Sequence, residues 1–469
     1  MQNKTMESEA IKKILIEGCD ERIFLRPETD ANKYHLNPIK YQGLLHRGSC
    51  TCGTLTADGH KTALNFLETK EKENYAEILA TQANRLKKLL NEGESNFDVF
   101  FGPSGSDMMY LPILFQAILH GQKEIINIVS CPEELGSGSK LAAEGKYYSE
   151  WNQFGEKIPL GEKVSNKVNS KVFYLPARKE SGHIESRSNA IRKIIADHPN
   201  SPIIGNLVFG SKSGIKDDLN IIEEVSHGIM WVVDMCQFRT DKKLIHDLLD
   251  KGVMIMVTGS KFYQAPPFCG ALLVPEIWSD MITINSAEII KGYEHVFSGF
   301  DFPKKFDSIR KIIPERKNIG LRLRWEIALD EMEKYQSIPS ENTNAFIRRW
   351  NQVVTGRIAQ SDFFKLMPNM ELTNDSIISF MVLSNGIALD HEQLKLLFDE
   401  IVLTRHEGLN GFEKVFMGQP VQYGNKSFIR VAIGSYSVRK LMEKPKFDPS
   451  NDIKLIEIIE NTVVKLFSK

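Results

Sequence analysis

Seven short apolar runs lie between residues 98 and 274, and segments with helical periodicity separate most of them. The runs are 98–101, 125–129, 171–175, 202–209, 230–233, 253–257 and 271–274. Strands that are apolar along their whole length are typical of a sheet covered on both faces. Strands that alternate with helices are typical of parallel βαβ units. The pattern therefore predicts an α/β fold with a large, doubly wound, mostly parallel sheet.

The chain has 469 residues, which is more than one ordinary domain needs. We predict an N-terminal arm at 1–60, a large sheet domain at 61–300 and a smaller α+β C-terminal domain at 301–469. The arm carries one short amphipathic helix and is otherwise irregular. The other predicted helices are 75–91, 108–119, 319–335, 342–356, 390–403 and 452–467, and the C-terminal strands are 377–383 and 427–433.

The composition is that of a soluble globular enzyme, with 42% apolar residues, 25% charged residues and a formal net charge of −1. A balanced charge without a basic stripe argues against a nucleic-acid partner. No apolar stretch reaches the roughly 18 residues of a membrane span, and from the polar N-terminus we expect no secretory signal. The six cysteines are scattered, so we expect a reduced, cytoplasmic protein. Cys50 and Cys52 have no complementary ligand cluster, and we predict no metal site.

A carboxylate and a lysine follow two neighbouring strands of the predicted sheet. Asp234 ends the run at 230–233, and Lys261 follows the run at 253–257 in the turn Gly259-Ser260-Lys261. Ligand sites in open α/β sheets lie at the carboxyl ends of strands. Pyridoxal phosphate needs an acid beside its ring nitrogen and an amine for a Schiff base. We predict this cofactor, although a lone Asp234 is also an ordinary helix N-cap and a lone Lys261 an ordinary surface residue.

A small-residue run precedes the helix predicted at 108–119. Ser104, Gly105 and Ser106 follow the first strand, and their backbone N–H groups at a helix N-terminus would form a phosphate cradle. The same pattern is often only a turn with an N-cap. A second run at 136–139 has the same composition, and the sequence leaves open whether it also faces the site.

In this order and spacing, the phosphate loop, the strand-end Asp234 and the strand-end Lys261 resemble the fold type I pyridoxal-phosphate enzymes. The nearer resemblance is to the class V aminotransferase group, which includes cysteine desulfurases and kynureninase, and it covers roughly residues 60–300 well. It implies an aspartate aminotransferase-like fold and a homodimer with sites at the subunit interface. It also implies functions for five further residues. Thr258 and Ser260 would be phosphate ligands, Gln237 and Ser213 would contact the ring oxygen, and Arg430 would hold the substrate carboxylate.

Alternatives remain for several of these positions. Lys212, next to Ser213, is also consistent with a solvated turn residue, and Arg430 with an ordinary salt bridge. The family usually stacks a ring on the cofactor where 130–135 falls here, and no residue of that run suits the role. His183 is the nearest histidine downstream and lies in a polar segment. His46 and Arg47 in the arm are candidates to reach a partner's site, although a polar surface turn is the favoured interpretation.

The reaction is less constrained than the cofactor. Persulfide-forming desulfurases need a cysteine near the small domain, and the last cysteine is Cys269, which argues against that reaction. We favour an aminotransferase acting on a small-molecule amino acid through Lys261. A lyase or hydrolase performing β-elimination, kynureninase-like cleavage or decarboxylation remains open, as does a non-catalytic protein that only binds the cofactor.

Overall fold

The computed structural model describes residues 2–50, 53–69, 74–90, 96–136, 138–178, 186–225, 228–282, 287–367 and 375–467. The α-helices of these residues are, in chain order, α1 Gln2–Leu15, α2 Ala57–Thr69, α3 Tyr75–Leu90, α4 Gly105–Met108, α5 Tyr110–His120, α6 Ser139–Ala143, α7 Ser188–Asp197, α8 Ile221–Glu224, α9 Lys242–Asp250, α10 Glu276–Ser279, α11 Ala287–Ile290, α12 Asp307–Arg310, α13 Ile319–Gln336, α14 Ser340–Ala359, α15 His391–Leu403, α16 Ser435–Met442 and α17 Ser450–Phe467.

The strands of the same residues form two sheets. They are, in chain order, β1 Leu44–Arg47, β2 Phe97–Gly102, β3 Ile125–Ser130, β4 Ser170–Leu175, β5 Ile203–Val208, β6 Ile229–Asp234, β7 Met254–Thr258, β8 Gly270–Pro275, β9 Phe364–Leu366, β10 Ile377–Ser384, β11 Ile387–Ala388, β12 Lys414–Tyr423 and β13 Lys426–Ala432. The seven strands predicted between residues 98 and 274 correspond to β2 to β8.

The larger sheet has the strand order β2-β8-β7-β6-β5-β3-β4. Strands β7, β6, β5, β3 and β4 pair in parallel, whereas β8 is antiparallel to both β7 and β2. Strand β2 therefore runs in the same direction as β7. Six strands end at one edge of the sheet, which is where a ligand site is expected in a doubly wound fold.

Both faces of this sheet are covered, as its apolar sequence predicts. Along β3, Ile126 and Ile128 belong to one buried cluster, whereas Ile125 and Val129 belong to the other. Side chains alternate between the faces of a strand, so the two clusters lie on opposite sides of the sheet. Helix α5 packs on the strands β3 and β5, and helix α9 packs on β7 and β8. The predicted doubly wound, mostly parallel architecture is confirmed.

The smaller sheet has the order β1-β12-β13-β10-β11, with β9 also paired to β10. Its first strand comes from the N-terminal arm, because β1 pairs in parallel with β12. The interpretation of His46 and Arg47 as a polar surface turn is wrong, since both lie in β1 and Arg47 forms a buried ion pair with Asp452. No helix among the described residues is both long and apolar enough to cross a membrane.

Candidate active site at the carboxyl edge of the larger sheet

Asp234 and Lys261 both lie at the carboxyl edge of the larger sheet. Asp234 is the last residue of β6 and is in register with Met256 of the adjacent β7. Its Oδ1 accepts a hydrogen bond of 2.8 Å from the N–H of Cys236. Lys261 follows the end of β7 and, like Asp234, is partly exposed. The Lys261 ammonium has no hydrogen bond or ion pair with the described residues, so its amine is available to a ligand.

The candidate groups share one neighbour, the Cys236 thiol. Burial raises the pKa of this thiol well above its usual value, Asp234 raises it further, and Lys261 opposes the rise. Both charges therefore act on the same sulfur atom. Gly105 also lies against this sulfur, because a Cβ added there would be 2.9 Å from the Cys236 Sγ. The small-residue loop, the carboxylate and the lysine converge on Cys236.

Sequence reasoning did not single out Cys236, although it follows Asp234 by two positions in the same loop. The contact with Gly105 also explains why the loop needs glycine at that point. A larger residue at position 105 would push the loop away from the end of β6 and from the Cys236 sulfur.

The loop at 104–106 forms the N-terminus of α4 as predicted. The N–H of Ser104 donates to Asp107 Oδ2 at 2.9 Å, and the Ser104 hydroxyl donates to the same atom at 3.0 Å. Gly105 and Ser106 occupy the first helical positions, where N–H groups have no acceptor within the helix. These two N–H groups suit an anionic ligand.

The second small-residue run lies against the first. The Ser106 and Ser139 hydroxyls are 3.1 Å apart, and Ser139 begins helix α6. A Cβ added to Gly136 would lie 3.8 Å from the Ser106 Oγ. Ser137, the central residue of this run, lies outside the described residues. The run at 136–139 therefore borders the candidate phosphate loop, which the sequence left open.

Asp20 and Arg22 of the arm belong to a buried cluster that packs against the same loop. Burial, and then the neighbouring Asp20 carboxylate, raises the pKa of Asp107 to about 6. The Tyr148 hydroxyl donates to Asp107 Oδ1 at 2.9 Å. Arg22 binds both oxygens of Asp20, each at 2.6 Å. The first part of the arm thus packs against the candidate phosphate loop of its own chain.

Thr258 and Ser260 face each other at the end of β7. Their hydroxyl oxygens are 2.8 Å apart, and the N–H of Ser260 donates to Thr258 Oγ1 at 3.0 Å. Both side chains are buried. The pair stiffens the turn that carries Lys261, and its role as a phosphate ligand stays a prediction.

In the turn after β5, the two adjacent side chains Lys212 and Ser213 have different neighbours. The Ser213 hydroxyl donates to Glu134 Oε1 at 2.7 Å, and its N–H donates to Glu134 Oε2 at 3.2 Å. Arg178 completes this cluster with an ion pair of 2.7 Å to Glu134. The predicted contact between Ser213 and a cofactor ring would compete with these bonds. Burial, and after it the Arg430 guanidinium, lower the pKa of Lys212, whereas Glu134 raises it.

The buried pair of Glu134 and Arg178 gives a prediction for stability. We expect Glu134→Gln to lower the free energy of unfolding by about 3 kcal/mol, because it removes the buried carboxylate that pairs with the Arg178 guanidinium. Urea denaturation measures the change. Glu224→Gln is the control, since Glu224 pairs with Arg192 on the surface and should cost less than about 1 kcal/mol. Equal losses in the two variants would contradict a special role for the buried pair.

Gln237 and Arg430 meet at Ser49 of the arm. The Gln237 amide donates to the Ser49 carbonyl at 3.0 Å and accepts from Arg239 Nε at 3.2 Å. Arg430 Nη1 donates to the Ser49 hydroxyl at 3.1 Å and to the Lys212 carbonyl at 2.8 Å. The second half of the arm therefore reaches the site of its own chain. Gln237 as a ligand of the ring oxygen stays a prediction.

Arg430 is almost completely buried on β13, yet none of the described carboxylates forms an ion pair with it. Its Nη2 donates to the Gln419 carbonyl at 3.0 Å and lies 3.3 Å from the Cys50 Sγ. Its Nε is buried and has no hydrogen-bond partner. A buried guanidinium held only by neutral groups favours an anionic ligand. The ordinary salt bridge considered from sequence is not observed within the described residues.

Two further features bear on this site: the residue that would stack on the cofactor, and the thiol of Cys50. The residue that would stack on the cofactor stays unassigned, because Cys131 in the run 130–135 is buried against Asp217 and His183 lies outside the described residues. Cys50 brings a thiol to Arg430, although the two are far apart in the chain. The order of cysteines along the chain disfavours a desulfurase, but the folded chain places the Cys50 thiol beside Arg430 of the smaller sheet.

Comparison with known proteins finds structural likeness without matching sequences. No protein-family model matches the chain, and no curated protein sequence matches it. Alanine–glyoxylate aminotransferase from Nostoc sp. has a TM-score of 0.57 at 11% identity, over 91% of this chain and 97% of that one. 4-Hydroxyphenylacetaldehyde synthase from Rhodiola rosea has a TM-score of 0.55 at 13% identity, over 99% of both chains. A NifS-like protein from Rickettsia africae has a TM-score of 0.56 at 11% identity, over 89% and 99%.

These likenesses extend over nearly the whole of each chain, and at such low identity they establish the fold alone. The aspartate aminotransferase-like, fold type I architecture predicted from the sequence is confirmed. The chemistry of the site has to be argued from the residues of this chain.

Proposed function

We propose that this protein is a pyridoxal-phosphate-dependent enzyme that acts on an amino acid through Lys261, and that its reaction is amino transfer. The observation that carries the proposal is the convergence of Asp234, Lys261 and Gly105 on the Cys236 sulfur. A carboxylate and an unpaired lysine at the ends of neighbouring parallel strands, beside a helix N-terminus, match the three needs of this cofactor.

The described residues fit the group at each of its ends. Gly105 and Ser106 offer N–H groups for the phosphate, since they lack acceptors within α4. The Asp234 carboxylate suits a protonated ring nitrogen, and Lys261 suits the aldehyde. When bound, the cofactor supplies an electron sink for the pair of electrons left at the substrate Cα.

The protein's own groups then have separate tasks. The Lys261 amine would hold the cofactor and, as a free amine, would carry the proton to and from the substrate Cα. Asp234 keeps a positive charge on the ring by its own negative charge. The Arg430 guanidinium would bind the substrate carboxylate and so orient the bonds at the substrate Cα. The arm keeps Arg430 in place through Ser49 and excludes water from that side.

Amino transfer is proposed ahead of the lyase and hydrolase reactions because the residues provide a base, a charge partner and a carboxylate clamp. No described feature points specifically to a bond other than Cα–H. The proposal includes a homodimer, since fold type I sites are formed at a subunit interface.

A substrate panel tests the reaction. Purified protein loaded with pyridoxal phosphate is mixed with single amino acids, and the absorbance of the cofactor is followed while the products are identified. We expect conversion to the pyridoxamine form with release of a 2-oxo acid, and reversal when a 2-oxo acid is added. Release of carbon dioxide, ammonia or alanine would establish a lyase or hydrolase instead. Sulfide from cysteine, lost in Cys50→Ser, would establish a desulfurase.

A further inference from the structure

The Lys212 side chain lies in the candidate site without a partner of its own. It is partly buried in the turn after β5, and its ammonium has no hydrogen bond or ion pair among the residues that the structure describes. Its backbone carbonyl accepts from Arg430 Nη1 at 2.8 Å, which fixes the turn against β13. Lys212 and Arg430 are thus held together by the backbone while their charges repel each other.

The Lys212 ammonium has both cationic and anionic neighbours. Burial, and after it the Arg430 guanidinium, lower the pKa of Lys212 to about 8. Glu134 and the Cys50 thiol act in the opposite direction, and Lys261 makes a smaller contribution that lowers this pKa. Glu134 is already bound by Arg178 and by the Ser213 hydroxyl. It is therefore only partly available to balance Lys212.

Positive charge remains in excess in the site once the groups that would hold the cofactor are set aside. With the cofactor bound, the Lys261 amine would be engaged by the aldehyde, and the Asp234 carboxylate would be engaged by the protonated ring nitrogen. The helix N-terminus at Gly105 serves the phosphate. Two cations, Lys212 and Arg430, are left to face the substrate, whereas the α-carboxylate of a neutral amino acid would satisfy one of them.

We propose that Lys212 and Arg430 form a two-cation subsite that selects amino acids, and the matching 2-oxo acids, with an anionic side chain. Arg430 binds the α-carboxylate through its planar fork, and Lys212 binds the second anionic group as a point charge. A carboxylate side chain is the favoured partner, and a phosphate or sulfonate shares the same chemistry. This inference rests on the proposed function, which it deepens.

Paired substrates test the selection. For aspartate against asparagine, and glutamate against glutamine, the ratio of kcat/KM is compared between the wild type, Lys212→Met and Lys212→Arg. We expect the methionine variant to lower the acid-to-amide ratio roughly 10- to 100-fold, the range for losing one charge-assisted hydrogen bond. Arginine should restore most of the ratio. An unchanged ratio in the methionine variant, or an equal loss in the arginine variant, would overturn the proposal.

The same panel separates the sources of the anionic group. Phosphoserine and cysteate, compared with serine, show whether a tetrahedral group is taken in place of a carboxylate. A higher ratio for either, lost in Lys212→Met, supports the two-cation subsite and identifies its natural ligand as a phosphate or sulfonate. If Lys212→Met instead weakens pyridoxal phosphate binding without changing any ratio, Lys212 serves the cofactor and the proposal is wrong.

A binding measurement keeps this inference distinct from the proposed function. Calorimetry with succinate and with its monoamide, succinamate, requires neither turnover nor bound cofactor. We expect the wild type to prefer succinate and Lys212→Met to lose the preference. If pyridoxal phosphate never attaches to Lys261, the proposed function fails, whereas the succinate preference still decides whether the two-cation subsite exists. No preference in the wild type overturns the subsite.

Discussion

A Lys261→Ala variant is expected to lose covalent attachment of pyridoxal phosphate and at least about 10³-fold in turnover, because one side chain supplies both the attaching amine and the base at Cα. The fold should survive the change. Lys261 is partly exposed and has no hydrogen bond or ion pair with the described residues, so we expect its loss to change the free energy of unfolding by no more than about 0.5 kcal/mol.

Reduction with borohydride followed by peptide mass mapping measures the attachment directly. In the wild type, the cofactor mass should be found on the peptide that contains Lys261, and it should be absent from the variant. Lys251→Ala is the matched control, since Lys251 lies on the surface and pairs with Glu223. Attachment at Lys212 in the wild type would overturn the assignment, because Lys212 is the other lysine of the site whose amine lacks a described partner.

The larger sheet was predictable because its signals are local. Each strand from β2 to β8 is a short apolar run, and full burial on both faces demands that composition in every strand. Asp234 and Lys261 were predictable for a related reason. The ends of parallel strands meet at one edge, so position along the chain already implies position in space.

The smaller sheet was only partly predictable, because one of its strands pairs with a segment that is distant in the chain. Strand β1 is only four residues long and is completed by β12, which lies far along the chain. Nothing within β1 specifies that partner, so the segment resembled an irregular arm. The same long-range pairing brings Ser49 and Cys50 to Arg430. For this reason the thiol beside Arg430 was missed, and so was the arm's part in the site of its own chain.

The orientation of the adjacent Lys212 and Ser213 side chains also could not be predicted from the sequence. Ser213 was preferred to Lys212 by its chemistry, yet Ser213 bonds to Glu134 and Lys212 lies near Arg430 and Lys261. The turn carries positive φ angles of 82° at Gly210 and 90° at Gly214. Such angles redirect the chain in ways that composition does not specify, so the neighbours of these two side chains were not predictable. The contact of Ser213 with a cofactor ring stays a prediction.

An Asp234→Asn variant tests the electrostatic half of the proposed site. We expect kcat to fall on the order of 10²- to 10³-fold, the effect of removing one preorganised charged group. The amide cannot supply the negative charge that holds a proton on the ring nitrogen. The fold should be preserved because asparagine keeps an oxygen for the N–H of Cys236, which donates to Asp234 Oδ1 at 2.8 Å.

The loop that follows β6 contains its own control. Asp241 caps α9 by accepting from the N–H of Lys243, and asparagine is an equally good N-cap, so Asp241→Asn should leave kcat within about twofold. The Cys236 thiol gives a second readout that does not depend on turnover. Asp234 raises the pKa of this thiol, so Asp234→Asn should lower that pKa. We therefore expect faster alkylation of Cys236 in the variant, measured at a fixed alkaline pH at which the protein stays folded. Faster alkylation with unchanged kcat would show that Asp234 reaches the sulfur but does not act on a cofactor, and the proposed role of Asp234 would then be wrong.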